Sequence, residues 1–218
     1  SDLYPDILVA LNSNWESQGS LGSLMAASYQ PGQTLYVCYA DIIFPSSIVK
    51  ALQDADGDAV VVTDMDWRHR YEDRSRRDLA MAEKVRIHED GTVEVDPKMP
   101  VDQAHGEYIG LIKLSPRAVD YLIGMQSTER QSLAQYGIPK LIERLSESGL
   151  VVRNLEIHGG WAELNAPQDL ARFILGTKAE TLERLRPLVR ESIIGQQVQF
   201  TVSDWVDDRD SVLETVLG

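Results

Sequence analysis

Thr34-Leu-Tyr-Val-Cys-Tyr-Ala-Asp41-Ile-Ile-Phe44 has the composition of a buried strand that ends on a carboxylate. Leu35, Val37 and their aromatic and small neighbours, Cys38 included, are apolar or β-favouring. A helix-like run follows from Pro45 to Ala55. In open α/β sheets, ligands sit beyond the carboxyl ends of the strands. Asp41 is therefore placed where a metal ion or a ribose could be held. The plainer alternative has Asp41 starting a turn or capping the helix after Phe44.

Working outward, the chain alternates strand and helix. Ile7-Leu-Val-Ala-Leu11 is an apolar run of strand length, and Asn12 to Ser23 is a polar Gly/Ser-rich loop of the kind that carries ligands. Leu24 to Ala27 is expected to be helical. Asp58-Ala-Val-Val-Val-Thr-Asp-Met-Asp66 is a second buried strand ending in carboxylates. This early alternation predicts an α/β fold with a largely parallel sheet covered by helices.

Trp67 to Arg77 is the one basic cluster of the chain. It has two readings, a phosphate-handling flap or a solvated connection neutralised by Glu72, Asp73 and Asp78. Glu83 to Val95 predicts a β-hairpin turning at Asp90-Gly91. Glu107 to Leu114 is a further strand. Ser115 and Pro116 open a helix as N-cap and first position. Gln131 to Ser148 is expected to be one helical stretch stopped by Gly149. Strand Leu150 to Ile157, helix Pro167 to Leu175, amphipathic helix Thr177 to Arg186, strand Val198 to Val202 and helix Asp207 to Leu217 complete the chain.

The 218 residues suffice for one α/β domain, or one domain and the start of another. Hydrophobic content of 43% and charged content of 25% are ordinary for a globular protein. A net charge of −13 argues against a non-specific nucleic-acid or anionic-membrane partner. It leaves room for a nucleotide whose phosphates are neutralised locally. With Cys38 as the single cysteine, no internal disulfide forms, and a cytoplasmic setting is expected. Cys38 is expected to be buried in its strand. No run reaches membrane-spanning length. The four histidines lack metal spacing.

Composition and periodicity stop at an α/β domain with acidic strand ends. The motifs go further. Their order is Asn12-Ser-Asn-Trp15 through Ser23-Leu24, Tyr39-Ala-Asp41-Ile-Ile-Phe, Asp64 and Asp66, and Glu83-Lys84-Val85. It continues with Gly106-Glu107-Tyr-Ile-Gly110-Leu and Trp161-Ala-Glu163-Leu-Asn165-Ala-Pro-Gln-Asp169-Leu. From Asn12 to Leu175 this resembles the nucleotidyltransferases of the sugar-phosphate, phosphocholine and phosphonate type, and most of all their cytidylyltransferase branch.

The resemblance implies a three-layer, Rossmann-like nucleotide-diphosphosugar transferase fold. It implies attack of a phosphate or phosphonate oxygen of a small acceptor on the α-phosphorus of a nucleoside triphosphate, CTP in this branch. Asp41 and Glu163 would hold magnesium, with Asn165 standing where the family has Asp and giving an oxygen without charge. Lys84 would contact the acceptor phosphate and Glu107 the acceptor, while Asn12, Ser23 and Trp161 would bind substrate. Magnesium needs no more than one or two carboxylates plus substrate phosphates.

The family's Gly-x-Gly-x-Arg loop has no counterpart here. The nucleotidyltransferase-like domain, 1–175, is therefore expected to be N-terminally incomplete. Residues 176–218 would form a linker helix and the start of a second module. Leu175-Gly-Thr-Lys178-Ala-Glu-Thr-Leu182 resembles the opening of the ATP-grasp domain of phosphoenolpyruvate synthases, an expected downstream partner. A second reading keeps the fold as a non-catalytic binding or docking module of a larger protein. A third, a glycosyltransferase, fits less well, because Asp41 is followed by Ile42 and Ile43 and no Asp-x-Asp forms.

Overall fold

The computed structural model describes residues 7–71, 76–165, 169, 173, 178–187, 190, 195, 198, 200 and 202–217. The chain forms two compact units, Ser1–Glu163 and Leu164–Gly218. The expected boundary after Leu175 falls in the second unit, next to residues outside the described ones.

The first unit is built on a six-stranded sheet. Its strands are β1 (Leu35–Cys38), β3 (Ala59–Asp64), β4 (Lys84–Ile87), β5 (Val93–Val95), β6 (Gly106–Leu114) and β7 (Val152–Ile157). A separate two-stranded ribbon joins β2 (Ile42–Ile43) to β8 (Ala162–Glu163). The sheet is mixed. β6 lies antiparallel to β1, β3 and β4, while β3 and β7 run parallel. Hence β1, β3, β4 and β7 share one direction, and β6 is inserted against them. The early strand–helix alternation gave the shared direction but held no sign of that insertion. β6 comes after the hairpin and pairs with strands far earlier in the chain.

β3 is buried along its whole length because β6 and β7 flank it and helices cover both faces. Val61, Ile112 and Val152 pack on one face against α4 (Pro116–Thr128) and α6 (Ile138–Glu147), through Leu122, Leu141 and Leu145. Val60, Val62, Ile109 and Leu111 pack on the other against Ile48 and Leu52 of α2 (Ser46–Asp54) and against Trp161. This is the expected three-layer arrangement, and each such side chain contributes about 1.5–3 kcal/mol of burial.

Several local expectations are corrected. Ile7, Leu8, Val9 and Leu11 form no strand and lie exposed; an unbroken apolar run needs cover on both faces, and no described strand pairs with it. The first helix, α1 (Ser20–Leu24), ends where a helix was expected to begin. Thr34 to Phe44 is not one strand. It breaks at Tyr39 to Asp41, and β2 leaves for the ribbon. Cys38 is exposed because β1 is an edge strand and only Val37 turns fully inward. Gln131 to Ser148 splits into α5 (Arg130–Leu133) and α6, since Gly137 is extended and Pro139 can only open a helix.

Helix α3 (Arg76–Met81) precedes the hairpin, which forms as expected, with Gly91 at φ +79° and Asp90 Oδ1 accepting from the Thr92 N–H at 2.9 Å. Ser115 caps α4, its Oγ accepting from the Ala118 N–H.

In the second unit, α7 (Lys178–Leu185) forms where an amphipathic helix was expected. Val202 opens a helix, α8 (Val202–Asp207), rather than closing a strand, and α9 (Arg209–Leu217) follows. The helix expected over 167–175 lies largely outside the described residues. Among the described residues no helix is long and apolar enough to cross a membrane.

Candidate active site

One end of the sheet gathers the acidic positions. β1 leads there into Asp41, β3 into Asp64 and Asp66, and β7 into the His158–Glu163 segment, while β6 starts there with Glu107. Register ties them together: Asp64 lies opposite both Glu107 and Ile157, and Glu107 opposite Lys84.

Arg70 is the hub of this end. It sits in the one-turn helix Trp67–Tyr71, and its side chain is 15% exposed. Nη1 donates to Glu107 Oε2 at 2.8 Å, and Nη2 stands 3.9 Å from Glu163 Oε2. The guanidinium lies 3.7 Å from the centre of the Trp161 ring, a cation–π contact in a desolvated setting. Tyr71 donates its hydroxyl to Glu107 Oε1 at 2.5 Å. Burial raises the Glu107 carboxyl above its ordinary range, and Arg70 and Tyr71 pull it back down.

Asp64, fully buried, organises the segment that carries Trp161 and Glu163. Its Oδ1 accepts from the N–H groups of Asp66 at 3.0 Å and Gly159 at 2.9 Å, and its Oδ2 from the Trp161 indole at 2.8 Å. A buried carboxylate needs such donors. Asp64 thereby fixes Trp161, on which Arg70 rests.

Glu83 and Lys84 diverge at the start of β4. Glu83 accepts both carboxylate contacts from the Tyr39 hydroxyl, at 3.1 and 3.0 Å. Burial pushes the Glu83 carboxyl up to about 7; the Tyr39 bond opposes this, and the charges of Glu163 and Glu107 add to it. Lys84 is 1% exposed. Its Nζ donates to the carbonyls of Ala80 (2.9 Å), Ala82 (2.9 Å) and Pro97 (2.5 Å). Three ammonium protons meet three carbonyls, so the side chain presents none to a ligand. Burial also lowers the pKa of Lys84. The sequence implied an acceptor-binding lysine; the structure gives it a structural position.

Asp41 is exposed in the turn before β2, and Pro45, not Asp41, is the N-cap of α2. Ile42 pairs with Glu163 in the ribbon, so Asp41 stands one residue from the position facing Glu163. Glu163 is one-third exposed. Among the described residues no group of three His, Cys, Asp or Glu is arranged as a metal cage. Magnesium needs only one or two carboxylates and takes its remaining ligands from water and phosphate. Asn165 is exposed and belongs to the second unit.

Asn12 and Ser23 are brought together, Nδ2 donating to Oγ at 3.2 Å. The glycines between them serve packing. A Cβ on Gly19 would lie 2.2 Å from the Tyr136 carbonyl oxygen, and one on Gly22 2.5 Å from that of Ala134. A groove of about 670 Å³ between β5 and α6 shares Glu83 with the acidic end and is otherwise lined by Lys98, Tyr136, Lys140 and neighbours.

Sequence reasoning assigned no role to Arg70, Tyr71, Tyr39, Glu83 or Asp64 as individual site residues. Signals existed for some. Tyr39 stands two residues before Asp41, Glu83 immediately before Lys84, and Arg70 within the basic cluster.

No family model matches this chain. It is similar to a CTP:phosphoglutamine cytidylyltransferase of Campylobacter jejuni, 24% identical over 146 residues. The match covers 63% of this chain and 58% of that protein, so the chain spans little more than half the relative's length. The inositol-1-phosphate CTP transferase from T. maritima superposes with a TM-score of 0.55 at 16% identity, over 78% of this chain and 62% of that one. HddC from Yersinia pseudotuberculosis aligns at a TM-score of 0.48 and 15% identity, over 72% of this chain and 62% of that one, too low to carry weight. The chain has the Rossmann-like fold of the CTP transferase and resembles nucleotidyltransferases of the cytidylyltransferase type.

Proposed function

We propose that this protein is a magnesium-dependent nucleotidyltransferase that transfers CMP from CTP to a small phosphorylated or phosphonylated acceptor. An acceptor oxygen bonds to the α-phosphorus of CTP, the bond to the β-phosphate oxygen breaks, and pyrophosphate leaves with the electron pair. The observation that supports this reading most is the ribbon pairing of β2 with β8, in which Ile42, the residue after Asp41, faces Glu163; in open α/β sheets ligands sit beyond the carboxyl ends of the strands. Asp41 and Glu163 would hold the magnesium, whose charge offsets that of the reacting phosphates. Glu107, buried and held by Arg70 and Tyr71, orients the acceptor, and Trp161 walls the site. Asn12 and Ser23, hydrogen-bonded to each other, would bind substrate. The cytidine preference draws on the Campylobacter relative, which is named for CTP.

A binding or docking module is favoured by one observation, the commitment of Lys84 to backbone carbonyls. The two readings separate in one experiment. The protein is incubated with CTP, magnesium and a panel of phospho- and phosphono-alcohols and amines, and pyrophosphate and CMP-linked product are measured. Transfer gives both in equal amounts. Binding without product, across the panel, supports the docking module instead.

A further inference from the structure

Among the described residues, Lys84 and Arg70 are cations near the carboxylates of this site, and they are in opposite states. Lys84 is sealed in, with each ammonium proton on a carbonyl. Arg70 is partly open. Of its five N–H donors, one is engaged by Glu107 at hydrogen-bond length, while Nη2 stands 3.9 Å from Glu163. Its Cζ lies 3.7 Å from the centre of the Trp161 ring and its Nη1 is tied to Glu107, so the group is held in place before any ligand arrives. Guanidinium matches phosphate through paired N–H groups, and a side chain already held in place loses little freedom on binding.

We propose that Arg70 is the residue that receives the phosphoryl or phosphonyl group of the acceptor. The inference rests on the transferase reading for the identity of the ligand. Glu107 is no obstacle to an anion, because Arg70 and the Tyr71 hydroxyl already engage both of its oxygens. Glu163, one-third exposed, stands 3.9 Å from Nη2, beyond hydrogen-bond length, and on the transferase reading its charge is taken up by the magnesium. The specificity that follows is for an acceptor that offers two oxygens of a phosphoryl or phosphonyl group to the paired N–H donors of the guanidinium.

The test uses inorganic phosphate as the probe and needs no turnover. Thermal unfolding midpoints are measured against phosphate at constant ionic strength, with magnesium present, for the wild type, Arg70→Gln, Arg70→Lys, Lys84→Met and Arg77→Gln. Arg77 belongs to the same basic cluster and is exposed. A ligand that binds the folded state raises the midpoint with concentration. The expected result is a saturable rise for the wild type, a loss of affinity of about tenfold or more in Arg70→Gln, and an intermediate value in Arg70→Lys. Arg77→Gln and Lys84→Met, each referred to its own midpoint without phosphate, keep the rise. Undiminished binding in Arg70→Gln overturns the proposal, as does loss in Lys84→Met with Arg70 intact, or no saturable rise in the wild type. Should Lys84→Met not fold, the contrast between Arg70→Gln and Arg77→Gln decides.

A turnover arm separates acceptor phosphate from nucleotide phosphate. Arg70→Gln is expected to raise KM for the acceptor about tenfold and to leave KM for CTP nearly unchanged; the reverse pattern overturns the assignment to the acceptor. Phosphate binding at Arg70 without any CMP-linked product would count against the transferase reading alone.

Discussion

The Trp161 indole donates to Asp64 Oδ2 at 2.8 Å, with Asp64 fully buried at the end of β3 and Trp161 7% exposed beyond β7. This bond links two strand ends of the sheet to the ribbon that carries Glu163. The same carboxylate holds the N–H groups of Asp66 and Gly159. Asp64→Ala leaves three donors without their acceptor inside the protein. The expected loss is about 3–5 kcal/mol, comparable to breaking a buried charged network. Urea unfolding of the variant measures it, and a red shift of tryptophan emission accompanies the loss.

Gly110 has φ +85°, and a Cβ there would lie 2.4 Å from the Tyr39 ring. Gly110→Ala therefore meets both backbone strain and a clash. A cost of at least about 2 kcal/mol is expected. The ring that moves is the one bonded to Glu83, so the variant also releases that carboxyl. Denaturation midpoints for Gly110→Ala, set against those of the exposed and uncrowded Gly124→Ala, check this.

Glu83 gives stability a pH dependence. Its folded pKa, about 7, lies above the 4.5 of the unfolded chain. The folded state therefore holds its proton where the unfolded state has lost it. The contribution is complete below pH 4.5 and declines as pH rises through about 7. That span corresponds to roughly 3 kcal/mol. Glu83→Gln should flatten this part of the stability–pH curve and be more stable than the wild type at alkaline pH. Equal slopes in the two proteins would count against a buried, proton-holding Glu83.

Tyr71 keeps Glu107 more acidic than burial alone would leave it. Removing the hydroxyl in Tyr71→Phe is expected to raise the Glu107 pKa. If ionised Glu107 is needed for turnover, the acid limb of the kcat/KM profile moves to higher pH. An unmoved limb would separate Glu107 from the titration that governs activity.

The sequence made the α/β class legible through local signals that survive folding. These were the hydrophobic run of β3, the Asp90-Gly91 turn and the Ser115-Pro116 helix start. Long-range pairing was not legible. Nothing local in Gly106–Leu114 says that it will enter between β1 and β3 and reverse the sheet. The edge position of β1, which exposes Cys38, follows from the same pairing. At the site, the acidic strand ends could be named in advance because strand termini are local features. The fates of Lys84 and Arg70 could not. Each depends on partners supplied from distant segments, the carbonyl of Pro97 for one and Glu107 and Trp161 for the other.

The most direct test of CMP transfer at this sheet end compares the wild type with Glu163→Gln and Asp41→Asn. CMP-linked product and pyrophosphate are measured across a magnesium titration, with far-UV circular dichroism confirming the fold of each protein. The expected result is magnesium-dependent product from the wild type and a fall of about 10²-fold or more in each variant. Product formed at wild-type rates by both variants would contradict the placement of the reaction at Asp41 and Glu163.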